Sequence, residues 1–306
     1  MLLRKVAPIM VGFSMALWTN TALNSNKSAR TNVTNTQKTL SLSSFQSEFK
    51  MKWHRVEMDY SQFSLVGKHN SNEVGGYETR TGHSVFGIRI GTNRIDVKRK
   101  YGLPLRAIHY QNTSYLLDYH DCEGNTTHGT YLIDDYYVTF FYDLHKNNIV
   151  RSIIWINAKT ELSKRGYYSK PSDELRTGLE DLMVDLINHE RVKEGLQPLI
   201  YDKRCNPIAR QHSSNMITHQ FFSHEDHKGN HSNDRLTTGG VNHYWYGENI
   251  AHGQPNSIFA HEALMNSKGH RINILRKEFT HIFVGVCFKD NGAPYYTINF
   301  YSNLNG

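Results

Sequence analysis

Gly247-Glu248-Asn249-Ile250-Ala251 decides how this chain is read. A glycine lets the backbone turn or pass close to another segment. A carboxylate follows, then an amide that can bond to nearby backbone, and Ile250 and Ala251 are expected to bury. The stretch thus fixes a carboxylate on rigid backbone. Two polar stretches flank it, Phe221-Phe222-Ser223-His224 before and Asn266-Ser267-Lys268-Gly269-His270-Arg271 after. Each alone has a plain reading. His224 follows an aromatic pair bound for the core, His270 could brace a turn, and Glu248 could accept backbone hydrogen bonds with no ligand. The three in this order, each beside apolar residues, form a far more specific pattern.

Around them the second half of the chain reads as helices closed by a hairpin. Ser172-Asp173-Glu174 opens a helix with a cap and an acidic first turn. Leu175, Leu179, Leu182 and Leu186 recur at helical spacing, and Gly195 ends it. Glu180, Asp181, Asp185, Glu190 and Arg191 read as its solvated face. Further helices are expected over 206–219, with Pro207 in the first turn, and over 257–267. His212 and His219 on the former read as packed or solvated. Residues 281–289 alternate, Asp290-Asn291-Gly292 turns the chain, and 295–301 returns, a hairpin signal.

Upstream, residues 51–165 read as a separate, mainly antiparallel domain. A strand is expected over 85–90, a helix over 93–101 capped by Thr92, and strands over 131–142 and 149–156 joined by Lys146-Asn147-Asn148. His120, Asp121, Cys122, Glu123 and His128 match no closed zinc spacing and read as a polar loop turning at Gly124-Asn125. Arg4 and Lys5 precede an apolar run over 6–18, the pattern of an export signal. That run is shorter than the ~20 residues that span a bilayer, and a retained anchor through Leu23 is the alternative. The expected organisation is a signal peptide or anchor over 1–23, a flexible tether over 24–50, a first domain over 51–165 and a second over 172–306.

The net charge is +7. Residues 1–50 hold six Lys/Arg against one acid, 51–165 fifteen against twelve, and 166–306 fourteen against fifteen. No folded half concentrates basic charge, which argues against nucleic-acid binding. Three widely spaced cysteines, Cys122, Cys205 and Cys287, make no disulfide framework. Cys205 and Cys287 could pair, and small buried apolar roles are the commoner use of such residues.

His224, Glu248 and His270 are the candidates for chemistry, with Asn249, Ser267 and Glu262 nearby in sequence. Two imidazoles and a carboxylate suit zinc and also acid–base work near neutral pH. No nucleophile elbow and no Gly-rich phosphate loop occur. His261-Glu262-Ala263-Leu264 lacks the second histidine of a zinc-protease helix, its fifth position being Met265.

At these residues the chain resembles a known family. Residues 182–301 are similar to the CAP superfamily (cysteine-rich secretory, antigen-5 and pathogenesis-related proteins), and specifically to its bacterial SCP-like extracellular branch. The marks are Leu186-Ile187-Asn188-His189-Glu190-Arg191, Ala209 with Met216, Phe222-Ser223-His224, the opening Gly247 stretch, and the run from Met265 to Leu275. Phe86-Gly87-Ile88-Arg89-Ile90-Gly91 and Tyr101-Gly102-Leu103-Pro104 resemble a CAP-associated N-terminal domain. The resemblance implies an α+β protein, a C-terminal α-β-α sandwich behind a smaller antiparallel β domain, with a cleft holding a His-Glu-Glu-His tetrad. His224, Glu248 and His270 match three of its members. The second Glu normally lies three residues after a tryptophan; Leu264 takes the tryptophan's place, so Ser267 stands where the acid would be. A four-residue catalytic scheme then lacks a member. Relatives bind sterols, lipids or partner proteins, and some bind a divalent metal at the paired histidines. The expectation is a secreted or surface-anchored protein holding zinc or another ligand (a lipid, a peptide or a cell-wall component) between His224 and His270, with contact to a membrane only through the N-terminal segment. The first domain would be an interaction module. A metal-dependent hydrolase with Glu248 as base is the alternative.

Overall fold

The computed structural model describes residues 2–4, 44–46, 51–56, 59–110, 113–164 and 166–303. Strands are β1 (Leu2–Arg4), β2 (Ser44–Gln46), β3 (Lys52–Arg55), β4 (Ser64–His69), β5 (Asn72–Glu78), β6 (Ser84–Val85), β7 (Ile88–Arg89), β8 (Ala107–Tyr110), β9 (Thr113–Leu116), β10 (His128–Ile133), β11 (Tyr136–Asp143), β12 (Ile149–Asn157), β13 (Ile200–Tyr201), β14 (Trp245–His252), β15 (His281–Phe288) and β16 (Pro294–Ser302). Helices are α1 (Arg94–Tyr101), α2 (Ala158–Leu162), α3 (Asp173–Lys193), α4 (Asn206–Thr218), α5 (Ser232–Thr238), α6 (Ser257–Asn266) and α7 (Lys268–Ile274).

The first domain is an antiparallel sheet in the order β10-β11-β12-β5-β4-β3-β2. Two-residue turns with both residues at positive φ, Asn70-Ser71 and Asp134-Asp135, set its register, and the five-residue loop from β11 to β12 ends on a further such pair, Asn147-Asn148. Such left-handed turns match the twist of the strands they join. Asp134-Asp135 splits the single strand expected over 131–142 into the hairpin β10/β11. The strand expected over 85–90 is likewise a tight hairpin, β6/β7, turning at Phe86 and Gly87. The cap of α1 is Asn93 rather than Thr92, its side chain accepting from the Ile95 N–H. Ser44–Gln46, inside the expected tether, pairs with β3 as the sheet's edge. Leu2–Arg4 pairs in parallel with β9; the remainder of the expected signal or anchor, and most of the tether, lie outside the described residues. Among the described residues no helix is long and apolar enough to cross a membrane.

The second domain is a four-stranded sheet, β13-β15-β16-β14, covered on both faces. Alternation along β15 explains the layering. Ile282, Val284 and Val286 face Leu179, Met183 and Ile187 of α3 and Leu264 of α6. Phe283 faces Ala209 of α4 and Leu236 of α5. Each buried side chain of this kind contributes roughly 1.5–3 kcal/mol. Gly285 admits α4 directly, since a Cβ there would lie 2.0 Å from the Arg210 nitrogen.

The face of α3 expected to be solvated is buried. Glu180, Asp181, Asp185, Glu190 and Arg191 are all 5% exposed or less. The reason is that α3 lies between two sheets: its other side places Leu182 and Leu186 against Trp53, Phe63 and Tyr77 of the first domain. Its charges are paired accordingly, because an uncompensated buried charge is very costly. Arg210 clasps Glu180 at 2.6 and 2.7 Å, Lys203 meets Asp181 at 2.7 Å, and Tyr60 donates to Asp185 at 3.0 Å. Arg191 donates to the carbonyls of Gln197, Ile274 and Arg276. Arg151 of β12 reaches Glu190 at 2.7 Å and Glu262 of α6 at 3.0 Å. All three cysteines are free: Cys205 donates to Asp202 and Cys287 to the Arg210 carbonyl, so the Cys205–Cys287 pairing weighed above does not form.

Candidate functional site

β14 is an edge strand, and its alternation gives successive residues opposite tasks. Glu248 is opposite Asn299 and shares its face with α4 and α5. Asn249 is on the other face, fully buried. It donates to the His270 carbonyl at 3.1 Å and accepts from Asn273 at 3.0 Å, tying α7 to the strand. Gly247 has no positive φ; it is glycine because Phe279 presses close, 2.8 Å from where a Cβ would be. The motif therefore holds the His224 side of the cleft through one residue and the His270 side through the next.

Glu248 lies at the centre of a dense set of donors. His224 Nδ1–H donates to its Oε1 at 3.0 Å, and Asn299 to its Oε2 at 3.0 Å. Arg235 of α5 donates to both oxygens, at 2.9 and 2.8 Å. Burial alone would raise the carboxyl's pKa, but Arg235, then His224 and His212, outweigh it and hold the group well below the usual carboxylate range. The other nitrogen of the Arg235 fork donates to the carbonyls of His224 and Asn230 at 3.0 and 2.8 Å, closing the 224–230 loop over the carboxylate. His212 is fully buried, donates to the Ser223 carbonyl at 3.0 Å and stands 3.9 Å from Glu248. Sequence reading missed Arg235 and Asn299. Both are ordinary polar residues on elements that only the fold brings to β14, and neither carries a local signal.

On the opposite side, Ser267 forms the cap position of α7 but makes no capping bond with its hydroxyl. That hydroxyl meets His270 Nδ1 at 2.7 Å. Burial pushes His270 down to about 4, with the neighbouring His224 adding to the shift. His224 and His270 are only 7% and 6% exposed. Among the described residues nothing hydrogen-bonds Nε2 of either ring. Glu262 points away, into the first domain, accepting from Tyr77 at 2.9 Å and Ser152 at 2.6 Å. The loop carrying His120 to His128 is a capped turn: Asp121 accepts from the Glu123 and Asn125 amides. His128 is buried against Tyr119, Phe141 and Phe259. Among the described residues no three His, Cys, Asp or Glu converge as a group that could hold a metal ion.

The first domain grips the His270 side directly. Asn266, one residue before Ser267, donates to the Tyr142 carbonyl at 2.9 Å and accepts from the Leu144 amide at 3.1 Å. His145 donates to the Asn266 carbonyl at 2.9 Å. Arg271, one residue after His270, donates to both oxygens of Asp143 at 3.1 Å.

Comparison with known proteins agrees with this architecture. Residues 41–167 match the CAP-associated N-terminal family and residues 184–300 the cysteine-rich secretory protein family. The chain is 30% identical over 269 residues to the uncharacterized membrane protein YlbC of Bacillus subtilis (strain 168), covering 83% of this chain and 76% of that protein. It is 41% identical over 106 residues to the uncharacterized protein YkwD of the same strain, covering 35% of this chain and 41% of that one. Among solved structures, an extracellular SCP-domain protein of Bacillus anthracis str. Ames superposes with a TM-score of 0.72 at 22% identity, over 92% of this chain and all (100%) of that one. A cysteine-rich secretory protein of Staphylococcus aureus subsp. aureus Mu50 superposes with a TM-score of 0.62 at 18% identity, over 82% and 85%. The chain belongs to the CAP, or cysteine-rich secretory protein, family and carries the CAP-associated N-terminal domain ahead of its SCP-like domain.

Proposed function

We propose that this is an extracellular ligand-binding protein whose cleft takes a divalent cation, zinc foremost, between His224 and His270. The observation that carries the reading is the way each ring is held. Glu248 fixes His224 through Nδ1, which leaves the lone pair at Nε2 free for a ligand. Ser267 meets His270 at Nδ1 and, with that nitrogen donating, leaves the same atom open. Metal-binding histidines are commonly oriented in this way by a partner on the other ring nitrogen. Zinc accepts neutral imidazole and, with two protein ligands, keeps positions for water or for a ligand's polar group. Glu248 then orients the His224 ring rather than binding the metal, since Arg235, His224 and Asn299 occupy its oxygens. The hydrolase alternative asks Glu248 to act as base, and a carboxylate held ionised by an arginine whose Nη2 donates to both its oxygens is a weak one. Placement outside the cell, with the N-terminal segment as leader or anchor, draws support from the extracellular and membrane descriptions of the similar proteins.

Calorimetric titration of the full-length chain with zinc near neutral pH, beside His224→Ala/His270→Ala, tests this. Stoichiometric binding that vanishes in the double variant is expected. Absent binding, or equal binding by both proteins, overturns it, and chelator-sensitive turnover of peptide or cell-wall substrates would revive the hydrolase.

A further inference from the structure

Next to the cleft, at the junction of the two domains, lies a cavity of about 520 Å³ that the reading above does not use. One wall is the capped turn Asp121–Asn125 with His145; the other is the end of α6 with Ser267 and Lys268. Its volume is in the range of sites that take small ligands, roughly 300–1,000 Å³.

Both walls are rigid before any ligand arrives. Asp121 ties the turn to itself through the Glu123 and Asn125 amides. The α6 wall is held by the Asn266 bonds to Tyr142, Leu144 and His145. Preorganisation of this kind lowers the ordering penalty on binding.

The lining chemistry narrows the ligand. No Phe, Tyr or Trp lines the cavity, and Leu144 and Ala263 are its apolar members. It offers no Phe, Tyr or Trp platform for stacking a sugar ring, and two aliphatic side chains are too few to enclose an acyl chain or sterol. It does offer opposite charges on opposite walls. Lys268 is exposed and has no ion-pair partner among the described residues. Glu123, on the turn, is exposed, its carboxylate receiving only a 3.4 Å contact from Asn125. Asp121 is already committed to its turn. An uncompensated ammonium and a nearly free carboxylate lining one cavity are complementary to a zwitterionic chain. Ser267 borders both this cavity and His270, so a carboxylate held at Lys268 would bring the ligand's end to the cleft mouth.

We propose that the junction cavity is a binding site for a short peptide, with an ammonium group at Glu123 and a carboxylate at Lys268. This rests on the chain being a ligand-binding protein and needs no metal in the cleft. It makes the first domain part of the recognition site.

Cys122, exposed on the turn, is a built-in reporter. The experiment measures the rate of maleimide attachment at each cysteine of the full-length chain, resolved by mass spectrometry, with the tripeptide Ala-Lys-Ala (free termini) at up to millimolar concentration. Saturable slowing at Cys122, with Cys205 unchanged, is expected. Glu123→Gln and Lys268→Gln should each weaken it about tenfold, as loss of one charge-assisted hydrogen bond would. His224→Ala/His270→Ala should keep the slowing, which separates this site from the zinc reading. No slowing, equal slowing by the acetylated and amidated peptide, or slowing that survives in both charge variants overturns the proposal.

Discussion

Arg235→Leu probes the centre of the cleft most directly. Its guanidinium meets both oxygens of Glu248 at 2.8 and 2.9 Å, with side-chain exposures of 10% and 2%. Unit charges about 4 Å apart attract by about 4 kcal/mol at an effective dielectric near 20. Removing one partner of a buried pair typically destabilises by about 3–5 kcal/mol, because the other charge stays buried. Asn299 and His224 remain as donors to Glu248, so the lower end of that range applies. For a chain of this size each kcal/mol moves the midpoint by about 2–4 °C, so a fall of roughly 10 °C at pH 7 is expected. The pH dependence carries a sign. In the wild type the carboxyl's folded pKa lies below its ordinary 4.5. Its contribution is therefore complete above that value and is lost as pH falls toward the folded pKa. In Arg235→Leu, burial acts with less opposition, the carboxyl takes up a proton at higher pH, and neutralisation relieves the variant. The gap between the two proteins should thus be widest near pH 7 and shrink by pH 5. Thermal melts followed by circular dichroism at both values measure it. A midpoint change within about 2 °C, or a gap of equal size at both pH values, would refute the argument that Arg235 is the counter-ion holding Glu248 ionised.

Arg151→Met should strand Glu190 and Glu262 at the domain junction and lower stability by about 3–5 kcal/mol, read as an earlier urea midpoint with both domains affected together. His261→Leu should shift the acid limb of stability to lower pH: burial and then Arg151 push His261 down to about 3. The unfolded ring, titrating near 6.5, therefore takes up protons that the folded ring refuses between the two values. Acid melts of the two proteins compare this. Asp143→Ala should loosen the α6–α7 turn from the first domain, increasing backbone hydrogen exchange over residues 266–274 while leaving β14 protected; equal protection would show that Arg271 holds the turn without Asp143.

Much was legible in local residue patterns. The α3, α4 and α6 helices, the β15/β16 hairpin and the antiparallel character of the first domain follow from period and turn chemistry, which act over a few residues. So does the cap of α3, where Ser172 accepts from the Leu175 amide as its position implied, whereas the cap of α1 is Asn93, one residue after the expected Thr92. His224, Glu248, Asn249, Ser267 and His270 were legible through their motifs, and the first two meet at 3.0 Å. Two readings failed, one for a long-range reason and one for a local one. The charged face of α3 looked solvated because its hydrophobic stripe accounted for one sheet, while the second sheet that covers it comes from a different part of the chain. The strand over 131–142 looked continuous because Asp134 and Asp135 need only adopt left-handed backbone to reverse it.

Sequence alone determined where α3, α4, α6 and the β15/β16 hairpin form, which apolar stripes they bury and which three segments carry the candidate residues, because periodicity and turn chemistry are local. Tertiary structure decided the electrostatics. Arg235 and Asn299 saturate Glu248, Glu262 is drawn away to Arg151, and the Asp143–Arg271 and Asn266 bonds make the first domain a support of the cleft rather than an appendage. These are contacts between residues tens to more than a hundred positions apart. Their partners are ordinary arginines, asparagines and acids until folding removes water and leaves each charge only the few companions that the fold brings beside it.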